Sequence, residues 1–368
     1  MTAEKIIFLR EQFSWMGRHS GYDMICDAVK QAFPECACTS VWGERPPRTA
    51  AALLRRFMVN GRESSFYDVY GAAAEVKTLW RSFLSRPDIV HVLYVENDLG
   101  VLPAWKKRLG FRLVGTAHQP DSWWRLMHRN PGVVSCLDAL ITVSSREAAY
   151  FEQYLPGRVH FIPHGIDTDF FRPGADLAGR EPIRCVFSGK WLRDIGTLAR
   201  VMDSVLKQKP EIRFEMIVPR DKRDDPGFYH LARYNQITWH ADLSDEQLLK
   251  IYQQSSMLVL PMIDCTANNA LLEAMACALP VVSTRIGGMP DYTDDAFAEL
   301  LPGGDAEGMT RAVIRLSEDP QRRRSMGIAA RAYAERHFRW DDVARKTGDM
   351  YREILTSETN HESGVHHP

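Results

Sequence analysis

The chain lacks an excess of either charge: 46 lysines and arginines stand against 47 aspartates and glutamates, a formal net charge of −1. That balance excludes a whole-molecule pull toward polyanions, so nucleic acid is not an expected partner. Cysteine is scarce, seven in 368 residues. Cys26, Cys36, Cys38, Cys136, Cys185, Cys265 and Cys277 are scattered, with neither a disulfide framework nor zinc-finger spacing. Such usage fits a reducing compartment, and the cytoplasm is the expected location. No apolar run reaches the roughly 18 residues of a transmembrane helix. The opening MTAEKIIFLREQF is too short and too charged to read as a signal peptide. No solenoid-length repeat is visible. The dinucleotide fingerprint G-x-G-x-x-G is missing from KIIFLREQFSWMGRHSG, which disfavours a nicotinamide-dependent enzyme.

What is present is apolar mass and rhythm. Hydrophobic residues make up 45% of the chain, enough for two ordinary cores. Short β-branched runs alternate with amphipathic ones. KIIFLR, DIVHVLYV, FRLVGTAH, ALITVSS and RVHFIPHGI read as strands, buried on both faces; GYDMICDAVKQAF, with Ser20 as its N-cap, and SREAAYFEQYL read as helices. DTDFFRPGADLAGREP breaks the pattern with proline, glycine and charge, and reads as a linker. A second rhythm follows: IRCVFSG, IGTLARVMDSVLKQ, RFEMIVP, ITWHA, SDEQLLKIYQQ, SMLVLP, NALLEAMACA and PVVST. Two long amphipathic helices close the chain. The expectation is α/β: two Rossmann-like domains with doubly wound parallel sheets, residues 1–172 and 173–339, facing each other across a cleft. The helix at about 340–356 would complete the first domain, and 357–368 would form a flexible tail.

Several residues stand where such sheets bind ligands, at the carboxyl ends of strands. Glu273 is a lone carboxylate in the otherwise apolar helix after SMLVLP. There it can accept from the hydroxyl pair of a sugar or ribose, or it can satisfy backbone amides or pair with a neighbouring cation. Gly17 and Gly21 flank RHS in the first strand-to-helix loop, and glycine permits close backbone approach to a phosphate or acceptor. Trp123 and Trp124 either stack on a sugar ring or an acceptor, or divide between a core position and a partial lid. Asp167 and Asp169 form the Asp-x-Asp of a metal-dependent transferase, but without the strand that motif needs. They read as a turn, and no metal ligands are expected.

LVLPMIDCTANNALLEAMACALPVVSTRIGGMPDYTDD resembles the donor-binding segment of retaining family 4 glycosyltransferases of the GT-B fold. FIPHGIDTDFFRP is similar to the family's domain junction, FSGKWLRDIGTL to its phosphate loop, and FRWDDVARKTGDMYREIL to its closing helix. The resemblance covers nearly all of the second half; in the first, GRHSGYDMICDAV and LVGTAHQPDSWW match more loosely. It implies transfer of a hexose from a UDP- or GDP-linked donor to an acceptor that is a lipid, a glycan or a small metabolite. Neither metal nor other cofactor takes part. A nucleotide-sugar epimerase or hydrolase of the same fold, or a non-catalytic sugar-nucleotide binder, is the alternative.

By that resemblance the catalytic set is His118, Lys190, Arg193 and Glu273. His118 would orient the donor sugar, while Lys190 and Arg193 would hold the departing diphosphate. Gly189, Asp264, Cys265, Thr266, Ala267, Asn268, Asn269 and Leu271 fall in the donor-binding loops with Gly17 and Gly21, and Arg220 would touch phosphate or ribose. The chain departs from the family at two places. Cys265 replaces the first of two glutamates, leaving Asp264 one position early as its substitute. Ile195 replaces the second phosphate-loop cation, and Arg193 is the candidate replacement. The basic segment Lys106–Arg112 is the candidate for a peripheral contact with an inner membrane face.

Overall fold

A computed structural model describes residues 4–11, 17–44, 46–60, 66–127, 130–174 and 182–356. The expected tail 357–368 lies outside them. The chain divides into two compact units.

The first unit comprises Met1–Met16, Tyr22–His164 and Trp340–Pro368. Its strands are β1 (Lys5–Arg10), β2 (Ala37–Trp42), β3 (Ile89–Val92), β4 (Arg112–Ala117), β5 (Ala139–Thr142) and β6 (Val159–Phe161). They form one six-stranded sheet in the order β2-β1-β3-β4-β5-β6, parallel throughout. Ile89–Val92 and Ala139–Thr142 are buried at every position, as strands covered on both faces must be. The helix Trp340–Thr356 belongs to this unit and packs on the helix Met24–Ala32. The approach is close: a Cβ at Gly348 would meet the Phe33 ring at 2.2 Å. Inside the unit, the Tyr351 hydroxyl and His91 Nδ1 lie 2.6 Å apart, and His91 Nε2 lies 2.8 Å from Thr116 Oγ1.

The second unit comprises Gly17–Gly21 and Gly165–Arg339. Its strands are β7 (Arg184–Ser188), β8 (Arg213–Ile217), β9 (Ile237–His240), β10 (Met257–Leu260), β11 (Val281–Thr284) and β12 (Ala298–Leu301). The order β12-β11-β10-β7-β8-β9, all parallel, is that of a doubly wound dinucleotide-type sheet. Winding runs outward from β7 in one direction and from β10 in the other. Helix starts are chemically marked. Asp194, Asn268 and Asp305 accept from amides two or three residues inside their helices, and Ser244 forms a capping box with Gln247.

Three sequence expectations change. Ser20 does not cap the first helix, which begins at Met24 with no side-chain cap; a distant partner, described below, takes its hydroxyl. DIVHVLYV ends as a strand at Val92, and Val95–Asp98 coils into a helical turn. Trp123 and Trp124 are both interior, not one core and one lid. Trp123 stacks on Phe66 with centroids 4.8 Å apart, and Trp124 meets Phe151 edge-on at 5.1 Å.

Candidate active site

In doubly wound sheets ligands lie outside the carboxyl ends of the strands where winding reverses. In the second unit those strands are β7 and β10, whose loops carry Gly189–Arg193 and Pro261–Asn268. Backbone contacts tie the loops together: Arg193 bridges Met262, Asp194 donates to the Pro261 carbonyl at 3.0 Å, and Ile263 donates to that of Leu192 at 3.0 Å.

Gly189 opens its loop at φ +90°, where a side chain is strained, and an added Cβ would lie 2.9 Å from Arg193 Nη2. The bare backbone lets the guanidinium fold back over it. Nε donates to the Ser188 carbonyl at 2.9 Å. Nη1 donates to the Trp191 carbonyl at 3.0 Å and to Met262 Sδ at 3.4 Å, and Nη2 to Asn268 Oδ1 at 3.4 Å. A guanidinium has five N–H donors. Four are accounted for, so one N–H on Nη2 has no partner among the described residues. Burial draws the Arg193 pKa down to about 10, which leaves it charged at neutral pH. Lys190 reaches Asp224 instead of the neighbouring Asp194, whose carboxylate caps the helix Ile195–Gln208. Ile195 is the buried first residue of that helix and offers no cation.

Glu273 sits midway along the helix Asn269–Ala276 and is 4% exposed. Its Oε1 accepts from Ser20 Oγ at 2.5 Å and its Oε2 from the Tyr252 hydroxyl at 2.8 Å. Burial raises its pKa, the Ser20 and Tyr252 hydroxyls and the Arg193 charge oppose the rise, and Asp245 adds to it. The Asn268 side-chain oxygen serves twice. It accepts from the Leu271 amide at 3.2 Å, capping the helix, and from Arg193. One asparagine thereby fixes the helix carrying the acid to the loop carrying the cation.

The segment Gly17–Gly21 is held in the same unit by its own contacts. The Arg18 amide donates to Asp245 at 2.8 Å, and His19 Nδ1 lies 2.7 Å from Asp167 Oδ2 while its ring stacks on Phe170. A Cβ on Gly17 would fall 1.7 Å from an Asp245 oxygen, and Gly21 has φ +101°. The close approach that Gly17 permits is to the Asp245 carboxylate.

Asp264, Cys265, Thr266 and Asn268 are buried, Ala267 and Asn269 half-buried, and Leu271 lies in the core. Asp264 Oδ1 accepts from the Cys265 amide at 2.8 Å. The Cys265 carbonyl accepts from the Gly288 amide at 2.7 Å. Gly287, at φ +52°, leaves no room for a Cβ, which would meet the Cys265 oxygen at 2.1 Å.

Arg220 stands after β8, exposed and 3.8 Å from an equally exposed Asp242. His118, at the end of β4, belongs to the first unit. Its Nε2 donates to the Leu93 carbonyl at 2.9 Å and its amide to Glu96 Oε1 at 2.5 Å. The ring lies between Tyr22 and Tyr94, with centroids 4.7 and 4.5 Å away. Burial, with His164 adding to it, pushes its pKa down to about 3, so it is a neutral ring. Asp167 uses its second oxygen to accept from the amides of Asp169 and Phe170, a turn as the sequence implied. Among the described residues, no three histidine, cysteine or acidic side chains are grouped to hold a metal.

The structure brings Lys190, Arg193, Glu273 and the loop 264–269 to one end of one sheet. It adds Tyr252 and the Ser20 hydroxyl, which the sequence did not mark as partners of Glu273. Tyr252 reads as an ordinary core aromatic in KIYQQ, and the partner of Ser20 is 253 residues away.

Two family models match. Residues 183–319 match "Glycosyl transferases group 1" and residues 36–170 match "Glycosyltransferase Family 4". The chain belongs to glycosyltransferase family 4. It is 24% identical over 296 residues to the MMP alpha-(1->4)-mannosyltransferase of Mycolicibacterium hassiacum, covering 73% of this chain and 71% of that one. It is 28% identical over 298 residues to the alpha-maltose-1-phosphate synthase of Mycobacterium tuberculosis, covering 73% and 74%. Among solved structures it is similar to sucrose-phosphate synthase from Thermosynechococcus elongatus (TM-score 0.72, 18% identity, 96% of this chain and all of that one). It is also similar to Anabaena HepE in complex with UDP and glucose (TM-score 0.72, 14% identity, 95% of this chain and all of that one). The family 4 chain is thus a glycosyltransferase with the GT-B fold.

Proposed function

We propose that this family 4 enzyme moves a hexose from a UDP- or GDP-linked donor to an acceptor hydroxyl, with retention at the anomeric carbon and without a metal. The second unit binds the donor and the first, completed by the closing helix, binds the acceptor. The observation that carries the reading is the Glu273–Asn268–Arg193 connection at the winding reversal of the second sheet. A buried acid and a half-buried cation are tied to one asparagine, which caps the helix of the one and accepts from the other. The UDP and glucose of the HepE complex support a nucleotide-sugar donor.

Glu273 takes a donor hydroxyl pair in place of the Ser20 hydroxyl, keeping Tyr252 as its orienting partner. Asp264, with Thr266 and Asn269, lines the sugar. As the bond between the anomeric carbon and the diphosphate breaks, charge grows on the leaving oxygen. The free N–H of Arg193 meets it, and so does Lys190 once the exposed Asp224 swings aside. The new carbon–oxygen bond forms on the same face, and the acceptor proton departs with the diphosphate. A preorganised donor of this kind is worth about 2.7–4 kcal/mol of barrier.

The test is a panel of nucleotide sugars with varied acceptors and a chelator present, reading nucleoside diphosphate release and the anomeric configuration of the product. Turnover requiring an acceptor and surviving chelation is expected. Product without acceptor points to a hydrolase or epimerase, and no turnover with any donor overturns the proposal.

A further inference from the structure

The first unit carries a surface that the reaction does not use. The helix Val69–Ser85 turns small and polar side chains inward, among them Gly71, Ala72, Ala74, Thr78 and Ser82. Its outer side is not polar. Val76, Trp80, Phe83 and Leu84 recur at helical spacing, and Trp80 and Leu84 are 64% and 63% exposed. The helix Arg48–Leu54 and the π-helical turn Arg55–Val59 lie beside it without one buried residue, adding Leu53 and Phe57 to the exposed apolar set. Isolated exposed apolar residues are ordinary, but a contiguous group of this size marks an interaction surface.

The charge on this surface is mostly positive, although Lys77 pairs with the exposed Glu44 at 2.8 Å and Asp68 is exposed at the helix start. Residues 48–59 contain three arginines and no acid, and Val69–Ser85 contains a single acid, Glu75, which is fully buried. Arg55, Arg56, Lys77, Arg81 and Arg86 border the apolar stripe. Two of these guanidinium groups lie over its rings, Arg56 over Phe57 at 5.4 Å and Arg86 over Phe83 at 5.7 Å. We infer that this face docks on an anionic lipid surface. Indole and phenyl rings suit the headgroup boundary, and arginines that cover rings with their stems hold their charge at lipid phosphates. Among the described residues no helix is long and apolar enough to cross a membrane, so the contact is peripheral. In the Lys106–Arg112 segment, Lys106 is committed to Asp138 at 2.9 Å and to the Cys136 carbonyl at 2.6 Å.

The full chain is sedimented with phosphatidylcholine vesicles, with and without phosphatidylglycerol, at low and high salt. Binding to the anionic vesicles alone, weakened by salt, is expected. Trp80→Ser with Phe83→Ser should lower the partition coefficient at least about tenfold. Each of Arg55→Glu, Arg56→Glu and Arg81→Glu should lower it about fivefold or more. Lys107→Glu with Arg108→Glu should change it little. Circular dichroism melting verifies that each variant folds. Should the double serine variant unfold, Trp80→Phe serves instead: the native-minus-variant fluorescence should shift to the blue on anionic vesicles. The inference is overturned if the native chain ignores anionic vesicles or if the arginine reversals leave binding intact. It is equally overturned if the serine substitutions only abolish a concentration-dependent dimer, which would make the face a protein interface.

Discussion

In the first unit the buried acids Glu75 and Glu96 are satisfied by neutral groups; in the second, Glu215 and the half-buried Asp203 are met by ionisable partners. Glu75 accepts from the amides of Gly100, Val101 and Leu102 and from the Tyr67 hydroxyl. Glu96 accepts from the amides of His118 and Gln119, and Asp98 Oδ2 has no hydrogen-bond partner among the described residues. In the second unit Glu215 lies between Arg184 and His240, at 2.6 and 2.7 Å, and Asp203 is met by His230 and Tyr234. The pKa directions follow. Burial lifts Glu11, Glu96 and Glu147 to about 7 and Asp23 to about 6. Hydrogen bonds and charges from the partners outweigh burial at Glu215 and Asp203 and lower them. Two sheets of the same kind thus differ in how their ionisable groups are compensated. Glu273 and Asp264 are the buried acids of the second unit that accept from neutral groups.

Glu273→Gln should give the largest effect. It keeps the shape but swaps an acceptor for a donor opposite two hydroxyls, and kcat/KM should fall about a hundredfold to a thousandfold, read by nucleoside diphosphate release. A loss of less than tenfold would make Glu273 a structural acid like those of the first unit. Arg193→Lys should lose about a hundredfold, nearly as much as Arg193→Ala, because an ammonium cannot span the four partners of the guanidinium. Rescue by lysine would show that charge alone matters.

The contrast in buried acids is tested by hydrogen exchange at pH 6 and pH 8, corrected for intrinsic rates. A carboxyl whose folded pKa is raised contributes stability below its ordinary pKa and loses it as pH rises through the folded value. The first unit should therefore lose protection as pH rises through about 6 to 7, and the second much less. His91 and His118, both pushed down to about 3 by burial, work the other way. Their contribution is present above the ordinary histidine value and lost as pH falls below it, so protection of the first unit should also decline on acidification. Equal responses in the two units would remove the contrast.

Gly287→Ala should cost about 1–2 kcal/mol for its left-handed backbone alone and should weaken donor binding by displacing the Cys265 carbonyl, both measurable by thermal shift. Lys190→Ala should be mildest, about tenfold in kcat with little change in melting temperature, since its pair with Asp224 is exposed.

The second unit was the more legible in sequence. IGTLARVMDSVLKQ and NALLEAMACA follow their caps Asp194 and Asn268 directly, SDEQLLKIYQQ opens on its cap Ser244, and the helices keep to these strings closely. The first unit gave less. ACTSVW is a half-exposed mixture without clean alternation, yet it pairs as β2. The helix Val69–Ser85 hides its buried face in alanine, glycine, serine and threonine while its aromatics face water. Of the candidate site, Glu273 stood out as a lone acid in an apolar helix, while Lys190 and Arg193 rested on the resemblance of their loop. The Ser20 hydroxyl was not legible, because a local capping pattern was overruled by a partner far along the chain.

The return of the last helix to the first sheet sets the order of assembly at the ribosome. The groups that Trp340–Thr356 covers, His91 and Phe33 among them, stay open until that helix has emerged. The second unit can therefore close before the first, and a truncation that removes this helix damages the first unit.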